Sequence, residues 1–191
     1  EQEWYFGVKH QRFIRGGFDS LGRQLEQMDQ GELEAAIREV SQDVDALVVS
    51  GLFSVYNGWQ EIQAKEAVGS LTELPVIMGQ SFTSDLGIYE RTVTAVLNSK
   101  LLNIIDDFLA SIESSLSDRG IVARLFVFKG DGGLMSIETA HEKPVEMVLS
   151  GPAASLMGGK ALAGIEDCLV VDMGGTSTDI AYLDGGFPRL N

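Results

Sequence analysis

The stretch Val170-Val171-Asp172-Met173-Gly174-Gly175-Thr176-Ser177-Thr178-Asp179-Ile180-Ala181, near the C-terminal end, constrains this chain more than any other. The apolar residues from Leu169 to Val171 predict a buried strand, and a second apolar run begins at Ile180 and stops at Asp184-Gly185-Gly186. Between them lies a turn without bulk, rich in backbone N–H and hydroxyl donors. Glycine takes positive φ and approaches a ligand closely, and successive N–H groups at such a turn form an anion cradle. Carboxylates cannot face phosphate directly, so Asp172 and Asp179 would work beside it, through a cation such as Mg2+ and its waters. One reading is therefore a nucleotide-phosphate loop. Gly174, Gly175, Thr176, Ser177 and Thr178 then hold the phosphates, Asp172 and Asp179 are the candidate catalytic acids, and Asp172 is the metal ligand. The other reading is an ordinary hairpin with Gly-Gly as its turn. The full pattern Asp-x-Gly-Gly-Thr-x-Thr-Asp favours the phosphate loop.

Charge limits the partners. The chain carries 28 acidic against 14 basic residues, a formal charge of −14. Neither nucleic acid nor an anionic membrane gains from such a surface, so neither is expected as a partner. A phosphate site here must rest on backbone dipoles and metal rather than on a basic field. With 45% apolar residues a real core forms. The single cysteine, Cys168, opens an apolar strand and has no internal disulfide partner, as in a cytosolic protein, and a cytoplasmic location is expected. No apolar run of about 18 residues and no signal peptide is visible. The first residue is Glu1, and the sequence stops just after a Gly-Gly-Phe-Pro turn, so it reads as an internal fragment.

Along the chain, Trp4 to Val8 and Gln11 to Ile14 are read as short strands, and Arg15-Gly16-Gly17 as a loop. Asp29 caps a helix whose Leu33, Ala36, Ile37 and Val40 share one face. Ala46 to Leu52 reads as a buried strand, Trp59 to Leu71 as a helix with Ile62, Ala67 and Val68 inward, and Pro75 to Gly79 as another strand. Helices alternating with apolar strands imply an α/β fold with a parallel or mixed sheet.

The longest helical stretch is Glu90 to Asp118, with a broad stripe from Val93 to Leu116 read as core packing and Gly120 as its stop. Tyr89-Glu90-Arg91-Thr92 opens it. Such charges at a helix start ordinarily form a solvated ion pair, but Glu90 and Arg91 are also candidate substrate-binding residues. Arg124 to Phe128 predicts a buried strand ending at Lys129-Gly130-Asp131-Gly132-Gly133. Ligands bind at the carboxyl ends of strands in open α/β sheets, so Gly132 and Gly133 are carried as cofactor-binding and Asp131 as substrate-binding. After Ser150-Gly151, Pro152 stands as the first residue of a helix poor in bulk (Ala153, Ala154, Ser155, Gly158, Gly159, Ala161, Ala163), as expected where two backbones cross closely.

These motifs resemble a known family. Leu149-Ser150-Gly151-Pro152-Ala153-Ala154 followed by Val171 to Asp179, with Tyr89-Glu90-Arg91-Thr92 and Gly132-Gly133-Leu134-Met135 in the same order, is similar to the hydantoinase/oxoprolinase (hydantoin utilisation protein A, N-methylhydantoinase A-like) family. The resemblance implies part of an actin-like, ribonuclease-H-like ATPase fold. Residues 1–149 would end the first lobe, 150–164 would form the connecting helix, and 165–191 would start the second lobe. It also implies ATP and Mg2+, with Asp172 to Asp179 as the second phosphate loop. The implied activity is an ATP-dependent opening of a five-membered cyclic amide of hydantoin or 5-oxoproline type. A second hydantoinase-type subunit is a further implied partner. Two other readings stand beside it: an ATP-using carboxylase subunit, ligase or kinase of one-carbon metabolism, and a non-catalytic actin-like nucleotide-binding module. These 191 residues alone are expected to be inactive, because the family's first phosphate loop does not occur in them. Gly130-Asp131 where the family has Ser-Asn, and Leu86-Gly87-Ile88 where it has an acid and an arginine, imply a divergent member with its own substrate.

Overall fold

The computed structural model describes residues 7–188 and divides into two compact units, Glu1–Lys100 and Leu101–Asn191. In the first unit, β1 (Gly17–Phe18) and β2 (Gln24–Glu26) form an antiparallel hairpin, followed by α1 (Gln30–Val40), β3 (Leu47–Val49), α2 (Trp59–Leu71) and β4 (Val76–Met78). β3 and β4 pair in parallel, as helix–strand alternation predicts, with Leu47 opposite Val76 and Val49 opposite Met78. The Asp29 carboxylate accepts from the Glu32 N–H and caps α1, and Leu33, Ile37 and Val40 are buried. Leu33 and Ile37 meet Ala64 and Val68 of α2 in one core cluster.

Two expectations fail here. Residues Gln11 to Ile14 form no strand; of the strand expected at Trp4 to Val8, the first three residues lie outside the described ones and Gly7–Val8 is not a strand. In α2 the inward residues are Glu61, Ala64 and Val68, while Ile62 is exposed. The i, i+3, i+7 spacing starts at a glutamate, which an apolar-pattern reading passes over.

The helix α3 (Ile88–Asp118) runs from the first unit into the second. It closes as the sequence predicts: Gly120 has φ 66°, its N–H donates to Ser117 O, and the Ile121 N–H donates to Leu116 O. The wide apolar stripe, however, is two seams. Ile105, Leu109, Ile112 and Leu116 face the second unit's core or are half-buried, whereas Leu97, Ile104 and Phe108 are exposed. A stripe that broad covers more than one helix face, and one neighbour shields only one of them.

In the second unit β5 (Phe126–Phe128) and β6 (Leu134–Ser136) form a hairpin, and α4 (Ile137–Glu142) and α5 (Ser150–Ala163) follow. Met135, Ile137 and Ala140 pack with Leu109. β7 (Cys168–Met173), β8 (Thr178–Asp184) and β9 (Phe187–Pro188) complete an antiparallel meander. The strands expected to be buried at 124–128 and 169–171 are not: Phe126, Leu169 and Val171 are at least half exposed. α5 begins at Ser150, placing Pro152 two residues inside it. Of the glycines of this small-residue helix, Gly159 lies close to β7, where a Cβ would be 3.2 Å from the Val170 side chain, while Gly151 and Gly158 face open space, so the contact is with a side chain rather than a second backbone. No helix among the described residues is long and apolar enough to cross a membrane.

Candidate functional site

The pattern 170–181 folds as a hairpin whose strands run further than the sequence implies. β7 reaches Met173 and β8 starts at Thr178, so only Gly174 to Ser177 form the turn, and Asp172 stands directly opposite Asp179 in the ladder. The Gly174 N–H closes the turn on Ser177 O at 2.9 Å. The expected positive φ is absent: neither Gly174 nor Gly175 is among the left-handed glycines. A Cβ on Gly175 would meet nothing within 4 Å, and one on Gly174 would only touch Ser177 O at 3.5 Å. The fold itself accepts a side chain at both positions. Open space before the turn is what an approaching ligand needs.

Helix α5 supplies the next group. Ser155, one of its small residues, donates its hydroxyl to Asp172 Oδ2 at 2.5 Å. That bond orients one oxygen of the carboxylate. Beside the pair lies a cavity of about 250 Å3 lined by residues that include Leu149, Pro152, Ser155, Val170, Asp172 and Asp179. Leu149, at the cap of α5, is held at φ 61°, a conformation that non-glycine residues rarely adopt. Pro152 and Asp172 thus wall the same cavity, while Gly174, Gly175, Thr176, Ser177 and Thr178 do not line it.

As a metal site the arrangement is open. No cluster of three His, Cys, Asp or Glu side chains exists among the described residues. Two facing carboxylates and a hydroxyl fit an ion that keeps several waters and shares substrate phosphate oxygens, as Mg2+ does, and do not fit an all-protein cage.

The glycine-rich turn after β5 is built differently. The Asp131 carboxylate accepts from the Gly133 N–H at 2.8 Å and pairs with Lys129, which also pairs with Glu146 at 2.9 Å. The Gly133 N–H, and then Lys129, hold the Asp131 carboxyl below its usual range, while Glu146 first and Asp131 second raise the Lys129 ammonium. Gly132 has φ 84° and rests near Met157. No residue of 129–135 lines the cavity beside Asp172.

In the first unit, Glu90 is exposed and makes no ion pair with Arg91. Arg91 is fully buried, donating to Asp85 O at 2.7 Å, Gly51 O at 2.9 Å and Ser54 Oγ at 3.4 Å. Sequence reasoning passed over Ser155 and the buried Glu61. Each acts on a partner at least 10 residues away, and no local pattern marks such a contact.

With this geometry in view, the relatives are informative. The family model described as Hydantoinase/oxoprolinase matches residues 91–191, and that for the Hydantoinase/oxoprolinase N-terminal region matches residues 6–71. The chain belongs to the hydantoinase/oxoprolinase family. It is 32% identical over 182 residues to the caprolactamase subunit alpha of Pseudomonas jessenii, covering 92% of this chain and 26% of that protein. It is 28% identical to the acetophenone carboxylase gamma subunit of Aromatoleum aromaticum, covering 89% of this chain and 24% of that one. Among solved structures, the ATP-dependent caprolactamase from Pseudomonas jessenii superposes with a TM-score of 0.77 at 28% identity, over 88% of this chain and 25% of that one. Nucleotide-free acetone carboxylase shares the fold at TM-score 0.77 and 23% identity, over 93% of this chain and 27% of that one. The chain therefore spans about a quarter of the length of these relatives.

Proposed function

We propose that the protein containing this chain is an ATP-dependent hydrolase that opens a five-membered cyclic amide of hydantoin or 5-oxoproline type. In an actin-like fold, residues 1–149 would be the end of the first lobe and 150–191 the connecting helix and first hairpin of the second, with 172–179 as a phosphate loop. The observation that carries the reading is the Gly174-Gly175 turn: open, unstrained, and flanked by Asp172 and Asp179. Its support from relatives is the ATP-dependent caprolactamase, a lactam-named enzyme of the same family.

Cyclic amides resist water because resonance weakens the carbonyl as an electrophile. Transfer of the ATP γ-phosphoryl group to the carbonyl oxygen makes the ring carbon a better electrophile; water adds to it, the ring C–N bond breaks as a proton passes to nitrogen, and the acyl phosphate so formed is hydrolysed by a second water to carboxylate and phosphate. The backbone N–H groups of the turn, with the Thr176, Ser177 and Thr178 hydroxyls, would hold the phosphates. Mg2+ would offset phosphate charge, held through water by Asp172, which Ser155 keeps aimed. Asp179 would complete the acidic side of the cradle.

The same activation serves a carboxylase, in which a phosphorylated carbon acceptor or carbonate takes the place of the lactam. The acetophenone carboxylase gamma relative supports that second reading, and both named relatives are subunits, which supports a second subunit as partner. Asp172→Asn in the whole protein should lower turnover by roughly a hundredfold or more with an unchanged melting point, because an amide cannot carry the charge that organises the cation. Phosphate release measured with hydantoin, 5-oxoproline and bicarbonate plus ketone separates the two enzymatic readings. Ordinary turnover by Asp172→Asn would reject both.

A further inference from the structure

The parallel strands β3 and β4 end in two loops, 50–58 and 79–87, both within the first unit. Loops at this end of a parallel sheet are where ligands bind, and such loops ordinarily open at little cost. These two are held by buried charge. Glu61 is 2% exposed; its Oε1 accepts from the Gly51 N–H at 2.8 Å and its Oε2 from the Gln80 N–H at 3.1 Å. Arg91 takes the other side of the same residue, with Nη2 donating to Gly51 O at 2.9 Å and Nη1 to Asp85 O at 2.7 Å. Each charge thus bonds the backbone of both loops, and the two meet at Gly51, one on its N–H and one on its carbonyl.

Burying an ion is costly unless hydrogen bonds replace its water, and here the bonds go to loop backbone. Arg91 bears a further cost, because its Nε–H is buried and meets no acceptor among the described residues. A lysine would avoid that orphan. Its single ammonium, however, lacks the planar fork that holds Gly51 O and Asp85 O in fixed geometry. What arginine adds at this position is therefore the fork. Two further features bear on the same junction. Thr92 Oγ1 and Ser50 Oγ share a hydrogen bond at 2.7 Å, and a Cβ on Gly79 would lie 2.8 Å from that Ser50 Oγ, so the loops meet there without spare room. Phe53, within the first loop, has φ 59°, strain that persists only where surrounding contacts over-determine the backbone.

We propose that Glu61 and Arg91 act as one coupled lock on Gly51, which joins loops 50–58 and 79–87 into a single rigid body. Each fixes one of the two peptide planes that flank Gly51. Loss of either bond frees the φ or ψ of that residue and spoils the alignment that the other bond needs. The coupling is therefore geometric and runs both ways. A cavity of about 350 Å3 is lined by Val55 of the first loop and by Gln80 to Ser84 of the second, so its width is the separation the lock sets. The lock makes it a preformed space rather than one that closes on an occupant. Glu61 and Arg91 are not among its lining residues. Arg91 thus belongs to the lock, and is not the ligand contact that its place in Tyr89-Glu90-Arg91-Thr92 suggests.

The test is amide hydrogen exchange on the whole protein without nucleotide, so its outcome is independent of the hairpin 172–179. In the parent, the Gly51 and Gln80 amides should exchange at least about a hundredfold more slowly than those of the exposed Ser84 and Leu86. Arg91→Met keeps much of the side-chain length and removes the fork. It should speed exchange at Gly51 and Gln80 at least about tenfold, although Arg91 bonds neither N–H, and leave the α1 amides as in the parent. Arg91→Lys, the milder change, should speed them too, because charge without the fork does not hold both carbonyls. Glu61→Gln combined with Arg91→Met should fall well short of the product of the two single effects, the mark of coupled residues. Three results overturn the proposal: parent exchange at Gly51 and Gln80 as fast as at Ser84 and Leu86, parent-like rates in Arg91→Lys, or single effects that multiply in the double variant. The parent measurement needs no substitution, so it decides even where a variant does not fold.

Discussion

The two ends of β8 carry the same dipeptide for different reasons. At one end, Gly185 and Gly186 have φ 56° and 80° and join β8 to β9 as a two-residue turn with both central residues left-handed. Only glycine adopts that geometry without strain. At the other end, Gly174 and Gly175 have no positive φ, and the space around Gly175 is empty. The first pair is explained by the hairpin. The second is not explained by the fold, which accepts a side chain at both positions. A Gly-Gly pair read in sequence does not separate these cases; dihedral angles and free space do.

The comparison is sharpened first by Gly186→Ala. The left-handed angle costs an L-residue about 1–2 kcal/mol, and the new Cβ would lie 2.5 Å from Lys160 Nζ, which bonds the Gly186 carbonyl. Denaturant melts should show that loss while nucleotide affinity of the whole protein stays unchanged. A variant as stable as the parent would mean that the β8–β9 turn is not held as described.

A third glycine turn, 130–133, gives a smaller effect. Asp131 holds its own turn closed through the Gly133 N–H, and its carboxyl is depressed by that bond first and by Lys129 second. A depressed carboxyl contributes stability above its unfolded value, near 3.9, that is lost as pH falls through the lower folded value. The side chain is largely exposed, so solvent screening keeps the contribution small. On acidification from about pH 6 to about pH 3, the parent should lose slightly more melting temperature than Asp131→Asn. Identical acid profiles would show that the side chain does not close this turn.

The contrast also marks what the sequence could convey. Local signals were readable: the Asp29 cap, the bounds of α2, the parallel β3–β4 pair and the Gly120 stop are each set within a few residues or by alternation. Exposure was not. An apolar run such as Leu169 to Val171 states that a strand is apolar, not that anything covers it. The pairing of Ser155 with Asp172 and the clamp of Glu61 and Arg91 on Gly51 span 10 to 40 residues and follow from tertiary placement alone. At the candidate site the strand–turn–strand pattern of 170–181 is legible in the sequence, but the turn is narrower than it suggests: the acids lie in the strands, opposite each other.

Gly175→Ala in the whole protein tests the central claim most directly, with ATP affinity by calorimetry and a melting curve on the same sample. The open surroundings of Gly175 predict no loss of stability from the methyl group. If the turn cradles phosphate, that methyl occupies space the phosphate oxygens need, and ATP should bind at least about tenfold more weakly. This chain's net charge is −14, so it offers few basic side chains to make up the lost contacts. An unchanged melting point with weakened ATP binding is the predicted result. Unchanged ATP affinity would show that the turn holds no phosphate.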